Sequence, residues 1–404
     1  MNNSHSHRIL LTWELGHDLG HIARLRPLAL ELKRRGHAVT IAAGQLQKLA
    51  ALPASLDVIP APVMSSTEVK DKIREPATFA DVLYNIGGSH EDSLTGVVRA
   101  WRGIFDLVQP DVVVQDFSPF ALLALQGYRA RSMLLGTGFA CPPDTGALPD
   151  IRAWQNHYPE RLRITEQLVL DALNHQLTRQ EQSTLAGIGE LFTRVNVNCL
   201  ATFPELDHYP ERTDDQPAVV EYVGVWSDLG GDQPQWPEGE GPRVFAYLKP
   251  FRALNRLLDH LGKSGYPCLV YLANEAKTNR KHPKNLQIVD SPLDMASITR
   301  ECNVSILHAG HGSTAAMLLA GKPILQLPFN VEQFHTARNT ERLGAGAMAM
   351  IDNPEEITRE FDQVIVSEAM RGAAGDFADR HRDFNQAVAL SKVVDQIEAL
   401  AART

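Results

Sequence analysis

Residues 290–333 read DSPLDMASITRECNVSILHAGHGSTAAMLLAGKPILQLPFNVEQ. The apolar run VSIL (304–307) has the length and composition of a buried strand. It enters HAGHGST, a loop with two glycines, and the helical pattern TAAMLLA follows at once, closed by Gly321 and Pro323. Glycine lets backbone amides approach a ligand closely. Ser313 or Thr314 is suited to cap the helix. A helix N-terminus offers N–H groups and partial positive charge, which suits a phosphate. In a parallel sheet such a loop lies at the carboxyl ends of the strands, where ligands bind. On local features, a phosphate site and an ordinary strand-to-helix turn of small residues fit equally well.

The same alternation extends in both directions. Strands are expected at 244–249, 268–273, 286–290, 304–309 and 323–328, with helices between them. At the N-terminus, RILLTW (8–13), a helix over 22–36 ending at Gly36, and HAVTIAA (37–43) form a βαβ unit. A helix over 97–110 is stopped by Pro110, and strands follow at 111–116 and 131–138, with a helix between them. Alternation of this kind predicts parallel sheets covered on both faces, an α/β doubly wound architecture repeated twice. A polar helix over 159–182 interrupts it. The Gly-, Pro- and acid-rich stretch 221–243 reads as a linker. The expected division is 1–220, the linker 221–243, 244–383, and a final amphipathic helix in 384–404.

The chain has 404 residues, enough for two domains of about 200 each. Its net charge of −9, with no Lys/Arg run, argues against nucleic-acid binding. Four cysteines, far apart in sequence, form neither a zinc spacing nor a disulfide framework, which suits a reducing cytoplasm. The N-terminus lacks the pattern of a signal peptide, and no apolar run is long enough to span a membrane.

The 290–333 segment resembles the donor-binding signature of family 1 glycosyltransferases. That pattern contains a Pro, a His sixteen residues later, Gly and Ser, then Gly-x-Pro, a Pro and a final Asp-Gln. Pro292, His308, Gly310, Ser313, Gly321, Pro323, Pro328 and Gln333 fall at its positions, and Glu332 stands where the Asp usually stands. The resemblance implies that His308 and Ser313 hold the diphosphate, helped by the backbone at Gly312 and Thr314. Glu332 and Gln333 would bind sugar hydroxyls, as a carboxylate beside a carboxamide can both accept and donate hydrogen bonds to a diol. Pro292 and Leu293 would line the same donor site. Three positions depart from the pattern: Ala316 replaces an acidic ribose contact, Asp290 replaces an aromatic base-stacking residue, and Lys249-Pro250 replaces a Gly-Ser or Gly-Thr pair. Lys249 either adds positive charge near the phosphates or is a solvated lysine ending a strand. A thymidine nucleotide lacks the 2′-hydroxyl that an acid at 316 would read.

The N-terminal half carries a second resemblance. GHDLGH (16–21) holds two histidines in the turn after the first strand, and metal ligands, a base or plain loop residues are all open readings. In the family a Gly-His pair precedes Arg-Gly-His by sixteen residues, and sixteen before His37 is His21, preceded by Gly20. His21 thus matches the catalytic base; Arg24 stands where a Pro is common. A base histidine works best with a carboxylate on its other nitrogen. The family's Asp after an apolar strand matches Asp116, whose alternative role is capping the following helix. The glycines around His17 and His21, the absence of an HExxH glutamate and the absence of Asp-x-Asp argue against a metal.

The resemblance therefore implies a GT-B fold, two Rossmann-like domains facing across a cleft. It implies an inverting, metal-independent transferase needing no cofactor, with a UDP- or dTDP-sugar as co-substrate. The acceptor would be a small molecule lying near Gly20, His21 and GTGFACPP (136–143), which includes Thr137 and Phe139. A monomer or homodimer in the cytoplasm is expected. Two alternatives share the fold: a sugar-nucleotide epimerase, and a non-catalytic sugar-nucleotide-binding partner protein.

Overall fold

The computed structural model describes residues 6–16, 19–64, 69–212, 220–228, 230–273 and 282–403. The chain divides into two compact units. One comprises Met1–Phe203, Tyr209–Ser227 and Gln386–Thr404; the other comprises Pro204–His208 and Asp228–Asn385.

The first unit runs β1 (Arg8–Trp13), α1 (Gly20–Arg34), β2 (Ala38–Ala43), β3 (Asp57–Pro60), α2 (Phe79–Asn85), α3 (Glu91–Val108) and β4 (Val112–Asp116). It continues through α4 (Pro119–Leu125), β5 (Arg131–Gly136), α5 (Pro159–Arg179), α6 (Ile188–Thr193), β6 (Val197–Leu200) and β7 (Val220–Tyr222). All its strands pair in parallel, in the order β3-β2-β1-β4-β5-β6-β7. β1 is buried at every residue after Arg8, as expected of a strand covered on both faces. Leu25, Leu28, Ala29 and Leu32 form the buried stripe of α1. Leu94, Val97, Val98, Trp101 and Phe105 do the same for α3, which ends when Gln109 turns left-handed.

The second unit runs β8 (Val244–Leu248), α7 (Leu254–Ser264), β9 (Cys268–Leu272), β10 (Leu286–Val289), α8 (Met295–Glu301), β11 (Val304–Leu307) and α9 (His311–Leu319). It continues through β12 (Ile324–Gln326), α10 (Val331–Arg342), β13 (Gly346–Met348), α11 (Pro354–Val366) and α12 (Glu368–Arg380). Its parallel sheet has the order β10-β9-β8-β11-β12-β13. Val244, Ala246, Val270, Ile306 and Leu325 pack with Leu257, Leu261 and Phe361 of α7 and α11 in one core. The last helix, α13 (Gln386–Ala401), packs against α1, β4 and β5 of the first unit.

Both sheets thus have the doubly wound order, and in each the strand order reverses once. The reversal lies between β1 and β4 in the first sheet and between β8 and β11 in the second. A ligand site is expected outside the carboxyl ends of the strands there. Strands read from sequence to 309 and 328 end earlier, at Leu307 and Gln326, because the backbone leaves the ladder for the following loop. β3, β6, β7 and β13 are short strands that the apolar runs did not mark. The stretch read as linker opens on β7. Further on, Asp232 pairs with Leu293, its amide donating to Pro292 O at 2.9 Å and its carbonyl accepting from the Asp294 amide at 2.8 Å.

Candidate active site

The end of β1 and the end of β4 are neighbours: Trp13 is opposite Asp116. The chain then leaves β1 through Gly16, at φ +91°, and re-enters as α1 at Gly20, bringing His21 back over the strand ends. His21 stacks on Trp13, with ring centroids 5.0 Å apart. Its Nδ1 lies 3.1 Å from Asp116 Oδ2, and Asp116 is fully buried. A Cβ on Gly16 would fall 2.5 Å from His21 Nε2, so the glycine is required twice, for its backbone angle and for its lack of a side chain. After Asp116 the backbone turns left-handed at Phe117, φ +51°, a strained conformation for an aromatic residue. His17 and Asp18 lie outside the described residues.

Asp116 does not cap α4. That place is taken by Glu14, one residue beyond β1, whose carboxylate accepts from the amides of Phe120 and Ala121. Burial pushes the Glu14 carboxyl up to about 8, against the pull of those amides and of Trp101. Asp116 is left to His21 and to Arg24. The guanidinium of Arg24 donates from Nη2 to Asp116 Oδ1 and Oδ2 at 2.8 Å each, and from Nε to Oδ2 at 3.1 Å. Burial raises the Asp116 carboxyl, but Arg24 and His21 together hold it below the usual carboxylate range.

The second unit builds a different arrangement. Tyr247 of β8 is opposite Leu307 of β11. The next residue, His308, is buried, directs Nδ1 to Tyr247 O at 3.2 Å and sets its ring edge-on to Tyr247. Ala309 takes φ +57°, and Gly310 becomes the N-cap of α9. Neither Ser313 nor Thr314 occupies the capping position suggested by sequence. Ser313 Oγ donates back to Gly310 O at 3.0 Å, and the Thr314 amide makes a helical bond to the same carbonyl. The Thr314 hydroxyl, fully buried, accepts from Gln326 Nε2. An α-helix leaves its first amides without an intrahelical acceptor, here those of His311, Gly312 and Ser313. Lys249 Nζ lies 6.0 Å from the centre of the Phe329 ring, and Phe329 approaches His308 edge-on.

The other residues expected to bind the donor occupy one loop and the first turn of a helix. Pro292 and Leu293 sit in the loop held by Asp232, and Gly231 packs so closely on Leu293 that a Cβ would be 2.4 Å from its carbonyl carbon. Glu332 and Gln333 fall in the first turn of α10. Asn330 caps that helix through the Gln333 amide, while Gln333 Oε1 accepts from the Phe329 amide at 2.8 Å. Asp290 is exposed and Ala316 lies on α9.

Of the residues expected near an acceptor, Gly20 is exposed at the start of α1. Thr137 and Phe139 are buried. Phe139 meets Phe117 and Phe79 edge-on, in an aromatic cluster that reaches His21 through Phe117. Among the described residues no group of three or more His, Cys, Asp or Glu is placed to hold a metal ion, and no helix is long and apolar enough to cross a membrane. Sequence reading noted Arg24 only as a departure and gave Gly16, Glu14, Ala309 and Asp232 no role. A charged residue directly after the buried run of β1 was the available signal for Glu14.

Two doubly wound parallel sheets, each reversing its strand order once, make a GT-B-like fold. Residues 255–399 match the family model described as erythromycin biosynthesis protein CIII-like, C-terminal domain. PGL/p-HBAD biosynthesis rhamnosyltransferases of Mycobacterium bovis and Mycobacterium tuberculosis are 28% identical over 71% of this chain and 67% of theirs. Among solved structures, the calicheamicin glycosyltransferase CalG4 superposes with a TM-score of 0.74 at 17% identity, covering 99% of each chain. The glycosyltransferase VinC, solved in complex with dTDP, gives 0.68 at 15%, covering 98% of this chain and all of that one. The chain is thus similar in sequence to rhamnosyltransferases and shares the fold of solved glycosyltransferases.

Proposed function

We propose that the protein is an inverting, metal-independent glycosyltransferase that moves a sugar from a dTDP- or UDP-sugar to a hydroxyl of a small-molecule acceptor. The observation that carries this reading is the contact of His21 Nδ1 with buried Asp116 at 3.1 Å. Asp116, held ionised, accepts a hydrogen bond from Nδ1–H and leaves the Nε2 lone pair as the base. Nε2 takes the proton of the acceptor hydroxyl as its oxygen attacks the anomeric carbon. The bond from that carbon to the diphosphate oxygen breaks on the opposite side, so the anomeric centre inverts in one displacement. The charge on the departing nucleoside diphosphate falls to the α9 N-terminus, His308 and Lys249, with Pro292, Leu293, Glu332 and Gln333 around the rest of the donor. The Oε1 of Gln333 accepts from the Phe329 amide, which fixes that side chain at the start of α10.

Ala316 offers no partner to a ribose 2′-hydroxyl, which favours dTDP over UDP. The rhamnosyltransferase relatives make a deoxyhexose the first sugar to try. His21→Ala is expected to lower transfer by roughly 10²–10⁴-fold while dTDP affinity stays at the wild-type value. Full activity of that variant would refute the base assignment.

A further inference from the structure

Arg24 stands on α1 one turn after His21, and its guanidinium and the imidazole converge on one oxygen. Asp116 Oδ2 lies 2.8 Å from Arg24 Nη2 and 3.1 Å from His21 Nδ1. The two nitrogens are 3.4 Å apart, the separation expected of two donors sharing an acceptor. Arg24 is itself buried, and its carbonyl accepts from Trp226 Nε1 at 3.1 Å, which fixes the start of α1 from a distant segment. We propose that Arg24 is a positioning residue for the base: it keeps Asp116 ionised and aimed at His21 Nδ1, and it offsets the charge that would otherwise make the imidazole hold its proton too tightly. This rests on the reading of His21 as the base.

The argument is electrostatic. A carboxylate with no exposed surface needs a permanent counter-charge, and the Arg24 guanidinium supplies one that does not titrate. Without Arg24, burial favours the protonated acid. That acid would donate to Nδ1, move the imidazole proton to Nε2 and remove the lone pair the reaction needs. With Arg24, the carboxylate stays an acceptor and the tautomer is set. The same positive charge makes the imidazolium less favourable than beside a lone carboxylate.

Among the described residues, the other groups facing the pair add no competing charge. Trp13 of β1 and Phe117 after β4 face the imidazole as neutral rings. Glu14 of the β1 end is turned to the α4 amides. Cys141, after β5, packs on Gly136 beside Asp116 as a buried thiol.

The test compares Arg24→Gln, which keeps hydrogen bonding without charge, with Arg24→Lys, which keeps charge without the fork. Two readouts apply to each: the acid limb of kcat/KM, and the pH titration of the His21 ring resonances in ¹⁵N-histidine-labelled protein. The proposal expects the midpoint of the pair to rise by about one pH unit or more in Arg24→Gln and to remain near wild type in Arg24→Lys. An unmoved midpoint in Arg24→Gln, with only kcat reduced, overturns it, as does an equal rise in both variants. In wild-type protein, which removes any question of folding, the Arg24 guanidinium ¹⁵N resonances are expected to shift with the same midpoint as the His21 ring. Independence of the two also overturns the proposal. Loss of transfer in His21→Ala with an unmoved midpoint in Arg24→Gln defeats this inference alone. Retained transfer in His21→Ala defeats the reading beneath it.

Discussion

At the reversal point of the first sheet, three ionisable side chains meet: His21, Asp116 and Arg24. At the reversal point of the second, the features are mostly backbone, the opening amides of α9 beside one buried histidine held by a carbonyl. The strand order around both points is the same. On the function proposed above, one topology serves two tasks. Proton abstraction needs a tuned side chain, and holding a diphosphate needs several donors converging on one anion. A parallel runs beneath the contrast. In each unit a glycine lies against the Nε2 of the histidine, Gly16 against His21 and Gly310 against His308.

The contrast breaks most sharply at Asp116. Asp116→Ala strands the buried Arg24 guanidinium, so a loss of about 3–5 kcal/mol in unfolding free energy is expected in denaturant titrations, together with loss of transfer. A variant of unchanged stability would mean that the ion pair is not buried as described.

The two glycines sharpen the parallel. Gly16→Ala forces a Cβ to 2.5 Å from His21 Nε2 at φ +91°, so transfer should fall at least tenfold while dTDP binding persists. Gly310→Ala meets His308 Nε2 at 3.4 Å, and Gly310 already has φ −65°, so an Ala there should change nucleotide affinity by less than tenfold. Equal effects at the two positions would dissolve the distinction between a base that must be approached and a histidine within a backbone cradle.

Glu14 supplies a smaller, pH-dependent effect on the first unit. Its folded value of about 8 lies above its ordinary value, so the folded chain holds this proton more tightly than the unfolded chain does. Stability from Glu14 is full below about pH 4.5 and is lost as pH rises toward 8. Comparing Glu14→Gln with wild type across that range by thermal melts should show the wild type losing more stability with rising pH. Parallel curves would contradict the burial described.

The doubly wound architecture was legible because its central strands are buried on both faces and leave apolar runs such as RILLTW and VSIL. His21, Asp116 and His308 were legible because each follows a strand at a recognisable spacing. Arg24 was visible only as a departure, since its partner lies 92 residues away and a nonlocal ion pair leaves no local pattern. Phe117 and Ala309 carry the left-handed turns at the two sites, but neither is a glycine or an asparagine, so composition gave no sign of them. Asp232 was hidden for a similar reason. A single backbone pairing fixes the loop of Pro292, and a Gly-rich stretch reads as linker whether or not it pairs.

The division of labour itself is tested most directly by calorimetric titration of dTDP into wild type, His21→Ala and His308→Ala in parallel. The account predicts equal affinity for wild type and His21→Ala, and affinity about tenfold or more weaker for His308→Ala, as expected for loss of one charge-assisted contact. Weakened binding in His21→Ala with unaltered binding in His308→Ala would place the nucleotide on the first unit and contradict the account.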